Sequence, residues 1–130
     1  MAVIPLLPSQ GISLVLDHMR IARAHGMPRN MATLLTYAWF YFKVKNRGPW
    51  DYKQYHPELE NFGNFHYGAI GYTAGIPADI LQMDGGFAQE HAGTSKPEWG
   101  HWYQDPPYGD DPIDQFWIKQ GIDYARKIGY

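Results

Sequence analysis

Between Asn61 and Ile76 the chain reads NFGNFHYGAIGYTAGI, a helical pattern with glycine where a helix ordinarily carries side chains. Asn64, Gly68, Gly71 and Gly75 follow at i, i+4, i+7 and i+11, one line along a helix. Phe62, Phe65, Ala69, Tyr72 and Ile76 lie on another side. Each helical glycine costs about 1 kcal/mol relative to alanine, so a line of them demands a return. Two returns are open. A neighbouring helix can approach the bare backbone closely, or the stripe can form the floor of a cleft for a polymeric substrate.

The rest of the chain is punctuated in the same helical idiom. Pro5 and Pro8 make residues 1–8 an extended arm. Ser9 is placed to cap a first helix, with Ile12, Val15, Leu16 and Met19 as its apolar face, ended by Gly26 and Pro28. His18 and His25 fall on that helix and read as surface residues. Asn30 is placed to cap a second helix reaching about Lys45, apolar on most sides and therefore expected at the centre of the fold. Lys43, Lys45 and Arg47 at its end suit the helix dipole. Pro77 opens a fourth helix, interrupted at Gly85-Gly86, with Glu90 and His91 at its surface. Asp111 caps a fifth, with Pro112 at its first position, Asp114 completing the capping pattern, and Ile113, Trp117, Tyr124 and Ile128 buried. No stretch alternates as a strand does. The expectation is one mostly α domain over residues 1–130, about five helices with two long aromatic, Gly- and Pro-rich loops, one after Gly48-Pro49 and one over residues 94–109.

Composition narrows the chemistry. The chain has no cysteine, a formal net charge of −2 and no long basic run, so thiolate catalysis, Cys-based zinc and charge-driven nucleic-acid binding are not indicated. No phosphate loop, zinc-helix pair or nucleophile elbow occurs. No cofactor and no metal are expected. The arm MAVIPLLPSQ lacks the basic start of a signal peptide, and the apolar run 32–42 is too short to span a bilayer, so no membrane insertion is expected. Tryptophan and tyrosine are abundant, with 5 and 10 residues. They suit stacking on the C–H faces of sugars.

The candidate reactive groups cluster in WDYKQYHPELENFGNFHYG and near PYGDDPID. Glu60 or Glu58 is the candidate acid for a glycosidic bond, and Asp51 or Asp110 would support developing positive charge or position water. Asn64 and Tyr67 would hold polar groups of the substrate. Lys53 is a further binding candidate, and Trp50, Trp102 and Tyr108 are candidate aromatic walls. His66 has two readings, a structural histidine among apolar neighbours or the general base of a metal-independent ribonuclease, with Lys53 on the phosphorane and His101 as acid. A non-catalytic binding module is a third reading.

GPWDYKQ at 48–54, NFGNFHYGAIG at 61–71, PEWG at 97–100, PYGDDPIDQ at 107–115 and IKQGIDY at 118–124 resemble the bacterial polymorphic toxin type 44 domain, over roughly residues 45 to 128. The resemblance implies a toxic effector at the end of a larger secreted carrier polypeptide. It is delivered into rival bacteria in interbacterial competition and neutralised by a cognate immunity protein. It leaves the reaction open. Peptidoglycan hydrolysis in the target periplasm is the reading preferred from composition, with RNA cleavage in the cytoplasm as the alternative.

Overall fold

A computed structural model describes residues 2–130. Five α-helices form: α1 Ile12–His25, α2 Leu34–Val44, α3 Glu60–Thr73, α4 Ala78–His91 and α5 Pro112–Lys127. Short 3₁₀ turns at Tyr52–Gln54, Pro57–Leu59 and Pro97–Trp99 punctuate the two long connections. Among the described residues there is no strand.

The centre is α3. It buries Phe62, Phe65, His66, Gly68, Ala69, Ile70, Gly71 and Thr73, so little of its girth reaches water. Its main partner is α5, and their backbones nearly touch. A methyl placed on Gly68 would lie 2.1 Å from the Ile118 carbonyl oxygen, and one on Gly121 would lie 1.9 Å from the Phe65 carbonyl oxygen. Each glycine of the pair receives the backbone of the other helix. Gly71 faces Leu81 and Phe40, and Gly75, beyond the helix at φ +94°, sits against the Met27 carbonyl. The glycine line is therefore a packing seam and not a cleft floor. This seam also decides which face of α5 is buried. The inward residues are Gln115, Ile118, Gly121, Ile122 and Ala125. Half of the expected stripe holds: Trp117 and Tyr124 are partly buried against the core, whereas Ile113 is 62% exposed and Ile128 is exposed too, because the close approach places the small side chains innermost.

Three helix boundaries differ from expectation for local reasons. The N-cap of α1 is Gly11, and Ser9 turns aside to donate to the Gln10 side chain. Asn30 stands at φ 63° in the left-handed region, where it cannot adopt the extended conformation of an N-cap. Thr33 takes that role, exchanging side-chain and backbone hydrogen bonds with Thr36. α4 runs unbroken through Gly85-Gly86, and Pro77 is its N-cap. Gly86 is required because the Tyr108 carbonyl oxygen rests where a side chain would be, 1.6 Å from an added methyl. In α5 the Asp111 carboxylate accepts the Ile113 N–H at 2.8 Å, as its capping position requires.

The largest departure is α2. It is not central. Only Thr36 and Phe40 are buried on it, and Leu34 and Leu35 are 89% and 82% exposed. α1 packs on α3 through Val15, Met19 and Ala22.

Candidate active site

Two constellations flank α3, one acidic and one aromatic. The first lies where its N-terminal half meets α4 and the start of α5. Asp110 is 2% exposed. Its Oδ1 accepts the Asp111 N–H at 2.9 Å, and its Oδ2 accepts the Gln115 side-chain amide at 2.7 Å. Gln115 also donates to the Gln82 carbonyl at 3.0 Å, and its own Oε1 is buried without a partner. One turn along α5, the partly buried Asp114 accepts from the Asn64 side chain at 3.1 Å. That same amide group reaches the Glu60 carbonyl at 3.3 Å. Tyr67 donates its hydroxyl to the Leu81 carbonyl at 2.7 Å.

Burial and crowding of like charge set the electrostatics. Burial raises Asp114, the fields of Asp110, Glu60 and Asp111 raise it further, Lys53 opposes, and the carboxyl is pushed up to about 7. Asp110 is raised mainly by burial, against its hydrogen bonds from Gln115 and the Asp111 amide. Asp84 on α4 is raised by burial. Tyr67 is raised far above its ordinary range by burial and then by Asp84 and Asp110. The result is a carboxylic acid half protonated at neutral pH beside ionised or ionisable carboxylates. That is the pairing general acid catalysis needs.

The second constellation is aromatic. Trp50 is buried and stacks on His18 at 4.2 Å between ring centroids. His18 Nδ1 and His66 Nε2 lie 2.8 Å apart and share a hydrogen bond. Tyr52 and Phe62 close the group around His66. His66 is fully buried and its Nδ1 has no partner. Burial, then the His18 charge, holds its pKa well below 6.5. His18 is thus half-buried in a packed cluster, contrary to its reading as a surface residue, whereas His25 is exposed as expected, its ring stacked on Trp39 at 4.6 Å. In an NMR titration the His66 ring should remain neutral at pH 6.5, where an ordinary histidine is half charged. A midpoint at or above that value would contradict this burial.

The sequence candidates divide between these places. Glu60, Asn64, Tyr67 and Asp110 gather in the acidic group, and Lys53 acts on it electrostatically from the exposed 3₁₀ turn. His66 and Trp50 belong to the aromatic cluster. The Asp51 carboxylate accepts the Arg47 N–H at 2.9 Å and ties down its own turn. Trp102 packs edge-on against Phe87 of α4 and donates its backbone N–H to Glu90 at 2.6 Å. Glu90 is therefore not merely a surface residue: His101 also bonds it at 2.9 Å and, as the first cause, holds its carboxyl below the usual range. Tyr108 stands at φ 61° with its carbonyl on Gly86. Sequence reasoning missed Asp114, Asp84 and Gln115. The available signal was the repetition of acids in DDPID, which places Asp110, Asp111 and Asp114 within about one helical turn.

The fold and this site define a small all-α domain with a carboxylate-rich junction beside its central helix. The family model described as bacterial toxin 44 matches residues 16–127, and the chain belongs to that family. The match begins well before residue 45, where the recognisable motifs start. No curated protein and no solved structure matches the chain.

Proposed function

We propose that this toxin domain hydrolyses the glycan strands of peptidoglycan, with Asp114 as general acid. The observation that carries the reading is the Asp114 carboxyl near pKa 7, held among Asp110, Asp111 and Glu60. A protonated carboxyl beside ionised ones can deliver a proton to a glycosidic oxygen while a neighbour supports the developing oxocarbenium charge or orients water. Glu60, exposed at the start of α3, takes the second role. Asp110 is too enclosed by Gln115 and the Asp111 amide to meet a sugar directly, and sets the field that keeps Asp114 protonated. Asn64 orients the acid, and Lys53 and Tyr67 border the same junction. Trp102 and Tyr108, both partly exposed, are assigned to stacking on sugar rings. His66, Trp50 and Asp51 are assigned to the scaffold.

A polyanionic substrate suits this junction poorly, because phosphates would meet the carboxylates of Asp110, Asp111, Asp114 and Glu60, opposed by Lys53. Delivery to the target periplasm by a larger secreted carrier, and neutralisation there by an immunity protein, complete the reading.

Purified domain incubated with peptidoglycan sacculi should release fragments with new reducing ends. Activity should fall as pH rises through about 7, since the acid must be protonated. Expression in a sensitive bacterium should be toxic with a periplasmic signal and harmless without one. Toxicity confined to the cytoplasm with RNA degradation would overturn the proposal in favour of a ribonuclease. Toxicity in neither compartment, with intact sacculi, would favour a binding module.

A further inference from the structure

The exposed side of α2 is built unlike the rest of the surface. Leu34, Leu35, Ala38 and Phe42 follow at helical spacing and are all exposed, with Tyr41 beside them and the exposed Met31 just before the helix. The opposite side of the helix carries the buried Thr36 and Phe40. Charge sharpens the contrast. From His18 to Trp50 the chain has six cations and no carboxylate, leaving five cations against all thirteen carboxylates elsewhere. Three of the six, Arg29, Lys45 and Arg47, flank α2 at its two ends, while Lys43 lies on the inner side over the Trp50 ring at 5.2 Å. Lys45 reaches over the exposed Phe42 ring at 4.9 Å. Asp79 and Asp84 bear on Tyr37, which packs against the core, and Asp51 is held by the Arg47 backbone.

We propose that this face of α2 docks the domain onto an anionic lipid surface, lying in the headgroup region without crossing it. An apolar ridge hemmed by cations is the pattern of an interfacial helix. The charge division gives the contact its orientation: the acidic remainder of the domain is repelled by the same lipids that attract the hem. Charge separates this occupant from others: the partner must meet an apolar ridge and carry negative charge around it, and an anionic lipid surface supplies both. A second copy docked face to face would bring the two cationic hems together.

The test is co-sedimentation of the whole domain with vesicles of phosphatidylcholine alone, and of phosphatidylcholine containing about one-third phosphatidylglycerol. Binding should be at least about tenfold stronger on the anionic vesicles and should weaken with salt. Leu34→Glu with Leu35→Glu should remove it by a similar factor. These two side chains are almost wholly in water and open the helix, where added carboxylates suit the dipole, so the double variant should keep its circular dichroism and melting temperature. Lys45→Glu with Arg47→Glu should abolish the preference for anionic lipid. Equal binding to both vesicles, no binding, or full binding by the leucine variant would overturn the proposal. A concentration-dependent dimer lost in the leucine variant would replace it with self-association. Vesicle binding is read without any substrate, so it stands or fails independently of the proposed hydrolysis.

Discussion

Asp114→Asn should lose about 10²- to 10⁴-fold in hydrolytic activity while becoming more stable at pH 8. Raising a carboxyl from 3.8 to about 7 corresponds to about 4 kcal/mol between its protonation states. Asp114 is only partly buried, so solvent screening reduces the usable difference to about 1–2 kcal/mol. The sign follows from proton binding. The folded state holds the Asp114 proton more tightly than the unfolded chain does. Its contribution is therefore fully present below the unfolded pKa and is lost as pH rises through the folded value. Above about pH 7 the wild type folds with an ionised group crowded by Asp110, Glu60 and Asp111. Asparagine is neutral throughout and its side-chain oxygen can still accept from Asn64. The variant should melt about 5 °C higher at pH 8, and the difference should close towards pH 4. A gain of stability that does not change with pH would show that crowding of charge is not its source. Retained activity would remove Asp114 from the role of acid.

The same residue shows where the sequence stops being legible. Helix number and approximate placement follow from apolar spacing and from prolines and glycines, which act locally. Asp111 capping α5 is such a local fact. Asp114 also reads locally, as part of a capping pattern, and its character comes from groups far along the chain: Asn64, Glu60 and Lys53. Proximity across helices has no signature in one sequence. Glu60, Asn64, Tyr67 and Asp110 could be singled out as reactive types, but not that Asn64 would lie against Asp114. For His66 the sequence left both core and site open, since its partner His18 is on another helix. The misplacement of α2 has a different cause. A helix apolar on several sides has to be covered by something, and its pattern does not say whether the cover is the same chain. Glycine at 68 was ambiguous between floor and seam until the matching glycine at 121 was seen across from it.

That matched pair yields the largest expected effect on stability. Gly68→Ala and Gly121→Ala should each destabilise the domain by about 3 kcal/mol or more, a loss of roughly 10 °C in melting temperature. In both cases the obstacle is a carbonyl oxygen of the facing helix, at 2.1 and 1.9 Å from the new methyl. A side chain could rotate away, but backbone can yield only by moving the whole helix. Alanine is intrinsically the better helix former by about 1 kcal/mol, so any loss measured is net of that gain. Gly63→Ala supplies the control on the same helix, because nothing lies within 4 Å of its added methyl; it should stabilise slightly. The double variant should lose less than the sum, since helices already pushed apart at one glycine have room at the other. If Gly68→Ala melts like Gly63→Ala, the close approach of α3 and α5 is wrong. The seam also reaches the site. Asn64 is one turn before Gly68 on α3, and it meets Asp114 across the same interface. Separating the helices admits water to Asp114, and burial is the first cause of its raised pKa. In whatever fraction of Gly68→Ala remains folded, the pH at which activity falls should move below 7, towards that of an ordinary carboxylate.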